Sequence, residues 1–179
     1  MGHQYPDVMC DLETTGTQPE TTNIIQIAAV RFNLATGEID PKFFNRCLGP
    51  TPTRFWDEDT RRWWSTKPDL LDSIYARMEP AAKVMQDFAR WGEAGGTLWA
   101  KPISFEYPFL QSYCREFEVT MPFHFRFTMD QNTFIRARHF PDDPPRYEKQ
   151  IPFVGSEHDA LDDVFHQIKT VHAAYEATK

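Results

Sequence analysis

Three short apolar runs in the first third of the chain predict three β-strands. DVMCDLE, from residue 7, is a short apolar run that ends in acids. IIQIAAVRF, residues 24–32, is rich in β-branched residues and nearly continuously apolar, as in a buried strand. KFFNRCL follows Pro41, and a Thr-Gly turn signal lies between it and the second run. Residues 24–48 are therefore predicted to form a hairpin.

The middle of the chain has the apolar spacing of helices. Residues 57–78 predict two helical pieces that break near Pro68. Pro80 suits the first turn of a further helix, which ends before the next pair of glycines. TLWA, residues 97–100, is a short strand candidate.

The rest of the chain is predicted to contain two helices and a long loop. We expect a helix from about Tyr107 to Phe117, and a loop at residues 141–156, which contain four prolines. The closing helix has an apolar face formed by Ala160, Leu161, Val164, Phe165, Ile168, Val171 and Tyr175. This order of elements predicts an α/β fold with helices packed on a mixed sheet.

Length and composition indicate one globular domain over residues 1–179. Aromatic residues make up 15% and charged residues 25% of the chain, as in proteins with a packed core. No apolar run approaches the roughly 20 residues that cross a bilayer, so no membrane association is expected. Three scattered cysteines without a C-x-x-C pair favour reduced thiols in a cytoplasmic setting and argue against a zinc site.

The net charge of −7 narrows the class of nucleic-acid partner. Proteins that hold long duplex DNA through its phosphates are usually basic. An acidic protein can still act on nucleic acid if its carboxylates surround metal ions and handle the short end of a strand.

Asp11 and Glu13 are the first candidate site residues. They are two residues apart at the end of the first predicted strand, so both side chains point to the same face. Two ionised carboxylates side by side repel each other and need positive charge, which Mg²⁺ or Mn²⁺ supplies. Thr14, Thr15 and Gly16 follow and offer hydroxyls, backbone N–H groups and a turn. The alternative is two solvated acids at a strand end.

A second polar group, SEHDALDD, opens the closing helix. A histidine beside a metal-bound carboxylate can take a proton from water, which makes His158 a candidate general base. The alternative is helix-start chemistry, with Ser156 or Asp159 as the cap and acids near the positive helix end. Periodicity leaves open whether Asp162 or Asp163 faces a site.

Several motifs together resemble a known family. DLETTG at the end of the first strand and HDALDD at the start of the last helix resemble the DnaQ-like 3′-to-5′ exonucleases of the DEDDh type, on a ribonuclease H-like fold. NIIQIAAVRFNLATGEI resembles that family's second strand and hairpin. DEDTRRWW, WAKPISFEYPFL and MPFHFRFTMDQNTF resemble the branch with phage exonucleases and a mycobacterial exoribonuclease. The resemblance implies three antiparallel strands, then parallel strands, flanked by helices.

The resemblance also implies the site residues. Its H-x-x-x-x-D motif selects Asp163 over Asp162, with His158 as general base, and its middle motif falls on Phe105-Glu106. The residues expected to hold two divalent ions, Mg²⁺ or Mn²⁺, are Asp11, Glu13, Glu106 and Asp163. The residues expected to contact the terminal nucleotide are Leu12, Thr14, Thr15 and Phe105.

Glu106 departs from the family pattern, which has aspartate at this position. Glutamate can ligate the same metals but reaches one methylene further, so either the backbone shifts or one metal binds less well. The alternative is a surface glutamate without a role.

Trp63 and Trp64 could stack on unpaired bases or pack a helix against the sheet, and at least one is expected in the core.

These observations predict a metal-dependent 3′-to-5′ exonuclease that removes 5′-mononucleotides from single-stranded 3′ ends of RNA or DNA. We expect it in the cytoplasm of a bacterium, or of the host cell if it is phage-encoded, and relatives suggest a homodimer. The alternatives are a non-catalytic nucleic-acid-binding module on the same fold and a proofreading subunit of a polymerase.

Overall fold

The computed structural model describes residues 4–179. Its strands there are β1 (Asp7–Thr14), β2 (Ile24–Phe32), β3 (Phe44–Leu48), β4 (Met78–Glu79), β5 (Thr97–Ala100) and β6 (Thr128–Asp130). Its helices there are α1 (Glu58–Trp64), α2 (Pro68–Ala76), α3 (Ala81–Gly92), α4 (Ile103–Glu116), α5 (Gln131–His139), α6 (Tyr147–Gln150) and α7 (Ala160–Glu176).

The strands form one mixed sheet in the order β4-β3-β2-β1-β5-β6. β1, β2 and β3 are antiparallel neighbours, so the predicted hairpin is confirmed. β5 and β6 continue the sheet beyond β1 as parallel strands, which confirms the predicted change from antiparallel to parallel pairing. β4, a two-residue strand parallel to β3, was not predicted, because two residues are too few to show a period.

Side chains of β1 alternate between two cores, one on each face of the sheet. Val8, Cys10 and Leu12 lie in the core under α3 and α4. Met9 lies in the other core, under α7. Asp11 and Glu13 continue the alternation of Met9, so the strand presents both acids on the α7 face.

α7 covers that face with the predicted apolar stripe. Val164, Ile168 and Val171 are at most 1% exposed, and Asp159 caps the helix by accepting from the Leu161 N–H. Because this stripe fixes the rotation of the helix, it also fixes where the polar residues at its edge point.

α4 begins at Ile103, four residues before the predicted start at Tyr107. Pro108 lies inside the helix and lacks the N–H that would bond the Ser104 carbonyl. Ser104 is exposed, so water can reach that carbonyl. The helix start is stabilised by Asp130, whose Oδ2 accepts from the Ile103 N–H at 3.1 Å.

Residues 141–156 are mostly loop, as predicted, but they contain the short helix α6. The three cysteines are buried and free. Within residues 4–179, no helix combines the length and apolar composition needed to cross a membrane.

Arg54 forms hydrogen bonds both to α4 and to the segment that connects β1 and β2. Its guanidinium is buried, donates to Glu116 Oε2 at 2.6 Å and to Ser112 Oγ at 2.8 Å, and lies 4.2 Å above the ring centre of Tyr113. It also donates to the Thr22 carbonyl at 3.0 Å. Arg54 therefore connects the segment between β1 and β2, through Thr22, to helix α4 on the other face of the sheet from α7.

We expect Ile168→Ala to lower the free energy of unfolding by about 2–5 kcal/mol, because it leaves a cavity between α7 and the sheet. Lys169→Ala, at the exposed neighbouring position, should change it by less than about 0.5 kcal/mol. Urea denaturation of both variants measures this. Equal effects would contradict the assignment of Ile168 to the core under α7.

Candidate active site

β1 and α7 meet at the polar end of the sheet. Asp11 and Glu13 are 9% and 8% exposed. Gln167 donates from Nε2 to Asp11 Oδ1 at 2.8 Å. Gln167 lies one helical turn after Asp163, so the same helix edge carries both residues to the acids of β1. The alternative of two solvated acids on β1 is therefore wrong.

Glu13, His158 and Asp163 form a cluster of potential metal ligands. Each offers one ligand atom, and these atoms lie within 4.8 Å of one another. Asp11 and Glu106 lie beside this cluster and outside it. Both are near enough that, after burial, their charges raise the pKa of Glu13, and the charge of Asp163 raises the pKa of Asp11.

His158 is held in an uncommon backbone conformation. Its φ is +69°, in the left-handed region, which costs a residue with a side chain about 1–3 kcal/mol. Its N–H donates to Asp163 Oδ2 at 2.9 Å, and its ring meets the Trp63 ring edge-on, with 4.8 Å between centres. These contacts on both sides place the imidazole over the carboxylates.

Asp162 and Asp163 have separate roles. Asp162 Oδ2 accepts from the Ser156 N–H at 2.8 Å and packs on Gly155. Asp159, the cap of α7, pairs with Arg77 at 3.3 Å. These two acids hold the helix start, whereas Asp163 points to the cluster with Glu13, in agreement with the spacing of the H-x-x-x-x-D motif.

Glu106 is buried, at 3% exposure, so the surface-glutamate alternative is wrong. It lies in the first turn of α4, and its Oε2 has no hydrogen-bond partner among the described residues. A buried carboxylate without a partner is costly unless it is protonated or meets a cation.

The acids raise one another's pKa. Burial, and after it the charge of Asp163, raises the pKa of Asp11 to about 7. Burial, and after it Asp11, raises the pKa of Glu106 to about 9. The pKa of Glu13 lies well above its ordinary value, through burial and then Asp11. Burial also raises the pKa of Asp163, against the His158 N–H that lowers it.

These residues fit hard divalent cations. They offer oxygen ligands, and one buried carboxylate oxygen has no partner among residues 4–179. The repulsion among the acids requires positive charge. The residues that would hold such ions are those predicted from the sequence, namely Asp11, Glu13, Glu106 and Asp163.

The predicted substrate contacts differ in accessibility. Thr14 is 9% exposed and its hydroxyl donates to the Gly16 carbonyl at 2.7 Å. Thr15 is 1% exposed, and its hydroxyl donates to the Phe55 carbonyl at 2.9 Å and accepts from the Asn23 N–H at 2.7 Å. The Thr15 hydroxyl thus holds the turn, and a contact of Thr15 with substrate stays a prediction.

The other two predicted contacts are apolar side chains. Leu12 is 6% exposed, and Phe105 is half-buried and packs on Phe109 with 4.8 Å between ring centres. Both stay predictions as substrate contacts.

The two tryptophans of α1 have different environments. Trp64 is 1% exposed and donates from Nε1 to the Thr14 carbonyl at 3.0 Å, which confirms that at least one belongs to the core. Trp63 is 37% exposed and has the Lys67 ammonium 5.4 Å from its ring centre. Trp63 thus leaves ring surface open beside His158.

A family model described as the 3′-5′ exoribonuclease Rv2179c-like domain matches residues 6–175. The chain belongs to this family of 3′-5′ exonuclease domains. The predicted kinship with a mycobacterial exoribonuclease branch and the prediction of an enzyme are thereby confirmed. No curated protein matches this chain significantly in sequence.

Solved structures of Exonuclease I have a similar fold. The E. coli enzyme in complex with a dT13 oligonucleotide has a TM-score of 0.73 and 16% identity, over 93% of this chain and 40% of that chain. The enzyme from Methylocaldum szegediense has a TM-score of 0.71 and 18% identity. The zinc-ion-bound E. coli ExoI–ssDNA complex has a TM-score of 0.72 and 16% identity. Both matches cover 93% of this chain and 40% of the other chain. The chain spans less than half of these proteins, and the likeness confirms the ribonuclease H-like fold.

Three site residues were not predicted. Gln167 contacts Asp11, Lys101 follows β5 near the same acids, and Asp130 caps both α4 and α5. The four-residue spacing from Asp163 is a signal that could have identified Gln167. A charge directly after the apolar TLWA strand could have identified Lys101.

We expect the metal-free protein to lose stability as pH rises. The folded state keeps protons on Asp11 and Glu106 that the unfolded chain releases near pH 4, so ionisation above that pH favours unfolding. A pKa difference of one unit between the folded and unfolded states corresponds to about 1.4 kcal/mol in the free energy of unfolding. For a chain of this size, that is about 3–6 °C in Tm. The Tm in EDTA should fall by at least that much from about pH 6 to about pH 9.

The matched pair Glu106→Gln and Glu93→Gln isolates the buried group. Glu106→Gln stays neutral and should flatten the fall in Tm, whereas Glu93→Gln, at an exposed position, should leave the slope as in the wild type. A Glu106→Gln slope equal to that of the wild type would show that Glu106 does not titrate in this range.

Proposed function

We propose that this protein is a metal-dependent 3′-to-5′ exonuclease that releases 5′-mononucleotides from single-stranded 3′ ends. The observation that carries the proposal is the cluster of Glu13, His158 and Asp163 beside two further buried acids. The proposal treats residues 1–179 as one exonuclease domain, and the family match over residues 6–175 supports this extent.

The completeness of the site favours catalysis over a non-catalytic binding module. A site that has lost its catalytic activity would be expected to lack several of these acids or the histidine. Here the acids are buried at a cost in free energy, and His158 adopts a strained φ directly beside Asp163.

His158 acts as general base in this proposal. Its imidazole takes the proton from the attacking water, while its backbone N–H keeps one oxygen of Asp163 occupied and so orients that carboxylate. Trp63 limits the movement of the ring. Gln167 orients Asp11 in the same way, through Oδ1.

Asp11, Glu13, Glu106 and Asp163 would hold two divalent ions, Mg²⁺ or Mn²⁺. When bound, the ions neutralise these carboxylates and stabilise negative charge on the phosphoryl oxygens. Leu12, Thr14, Thr15 and Phe105 contact the 3′-terminal nucleotide, and the exposed face of Trp63 offers a stacking surface for a base.

RNA is the first substrate to test, because the family description names an exoribonuclease. DNA is the second, because the structural relatives include complexes with dT13 and single-stranded DNA. The protein could form a homodimer, which size-exclusion chromatography would test. It could also be a proofreading subunit of a polymerase, which a pull-down for a polymerase partner would test.

The direct test uses RNA and DNA oligonucleotides labelled at either end, with Mg²⁺, Mn²⁺ or EDTA. We expect a 5′-labelled strand to shorten stepwise and a 3′-labelled strand to release a labelled mononucleotide at once, both abolished by EDTA. Absence of cleavage with either metal and either strand would favour the binding module and overturn the proposal.

We expect Glu106→Ala to lose most activity and Glu106→Asp to keep or raise it. Loss of an outer-shell partner typically costs a metal site about 10–100-fold, so loss of a ligand should cost at least that much in kcat. Aspartate restores a ligand oxygen on a shorter side chain. Steady-state kinetics in Mg²⁺ and in Mn²⁺ measure both variants.

Two comparisons accompany these kinetics. Glu93→Ala, at an exposed position, should be as active as the wild type. Thermal unfolding of Glu106→Ala in EDTA should remain cooperative, which would show that the variant is folded and that its low activity reflects the loss of a ligand. Full activity in Glu106→Ala would remove Glu106 from the set of ligands.

A further inference from the structure

Lys101 lies at the edge of the sheet where the acids of β1 end. β5 runs parallel to β1, with Met9 opposite Trp99. Lys101 directly follows the last residue of β5, Ala100. Its positive charge lowers the pKa of Asp11, against the burial that raises it. A cation thus lies next to the carboxylate cluster without being one of its ligands.

Lys101 shares a cavity with the proposed general base. The cavity has a volume of about 290 Å³, and its lining includes Lys101, His158 and Asp163. Glu148 and Phe153, from the loop at residues 141–156, also line the cavity. A group bound in this space can touch the Lys101 ammonium and the reaction centre at the same time.

Lys101 is paired with Glu148, with 2.9 Å between Nζ and Oε2. The side chains of this pair are 34% and 41% exposed, and a pair this open to water contributes about 0–1 kcal/mol to stability. The contact is therefore weak enough for another anion to displace Glu148.

α6, which carries Glu148, is held without this ion pair. Tyr147 is 8% exposed in a cluster with Ile135 and Ala174. Its hydroxyl lies 2.9 Å from His139 Nε2, and the Glu148 carbonyl lies 3.1 Å from His166 Nε2. These contacts remain when the Glu148 side chain moves, so anchoring α6 does not account for Lys101.

We propose that Lys101 binds the phosphate that is cleaved, by exchanging the Glu148 carboxylate for a phosphate oxygen when a strand enters. The inference rests on the proposed exonuclease function. A phosphodiester carries negative charge into a cavity bordered by acids, and an ammonium on the β5 side lowers the cost of that approach. Without substrate, the Glu148 carboxylate pairs with the Lys101 ammonium, so Glu148 competes with the substrate phosphate for that ammonium.

Three variants separate phosphate binding from a structural role. Lys101→Met removes the ammonium and keeps the length of the side chain. Glu148→Gln removes the competing charge and leaves Lys101 in place. Lys83→Met is the matched control, because Lys83 also pairs with a glutamate, Glu79, at 2.8 Å but lies on α3 outside the cavity.

The readouts are KM and kcat on the oligonucleotide that the wild type degrades, inhibition by a nucleoside 5′-monophosphate and by the nucleoside, and Tm. We expect Lys101→Met to raise KM and the inhibition constant of the monophosphate at least about tenfold, or about 1.4 kcal/mol. Inhibition by the nucleoside, and Tm, should not change. Glu148→Gln should leave KM at or below the wild-type value, and Lys83→Met should match the wild type.

Two results would overturn the inference. If Lys101→Met and Glu148→Gln raised KM by the same factor, the pair would act by holding the loop. If Lys101→Met left the monophosphate inhibition unchanged, Lys101 would not touch the phosphate. Both results presuppose an active wild type, so an inactive wild type would instead count against the exonuclease function.

Discussion

Repulsion among buried carboxylates is the constraint on which this site depends. Asp11 and Glu13 lie on one strand face, Asp163 approaches from α7, and Glu106 reaches in from α4. Water is largely excluded, so burial and the neighbouring charges raise the pKa values of Asp11, Glu13 and Glu106. Such an arrangement is stable with protons or with cations, and in the proposed function divalent ions supply the cations at neutral pH.

The surrounding structure keeps the acids close in spite of this repulsion. The apolar stripe of α7, buried on the sheet, contributes the free energy that fixes Asp163 opposite β1. Gln167 and the His158 N–H each occupy one carboxylate oxygen and leave the other free. Asp130 caps α4 from β6, and so fixes the turn from which Glu106 projects.

Much of the fold was predictable because its signals are local. The β-branched run of β2 and the stripe of α7 mark their elements directly, and the period of two in β1 places Asp11 and Glu13 on one face. β4 and the start of α4 were missed, because a two-residue strand and a helix capped by the distant Asp130 depend on tertiary contacts. Periodicity also left Asp162 and Asp163 equivalent, and only the turn at Gly155 assigns Asp162 to the Ser156 N–H.

The same limit applies to Lys101 and Glu106. One lysine after a strand says nothing about Glu148, which is 47 residues away and meets it only in the folded chain. The resemblance to the exonuclease family predicts Glu106 as the fourth carboxylate. Its burial, its raised pKa and an oxygen without a partner among the described residues come from packing.

The most direct test of the account is calorimetric titration of the protein with Mn²⁺ at about pH 7.5, in buffers of different ionisation enthalpy. Carboxyl groups with pKa values of about 7 and about 9 must lose protons to bind metal. We expect two ions to bind per chain, with proton release that is smaller in Glu106→Gln than in the wild type. Binding of no ion, or binding without proton release, would contradict it.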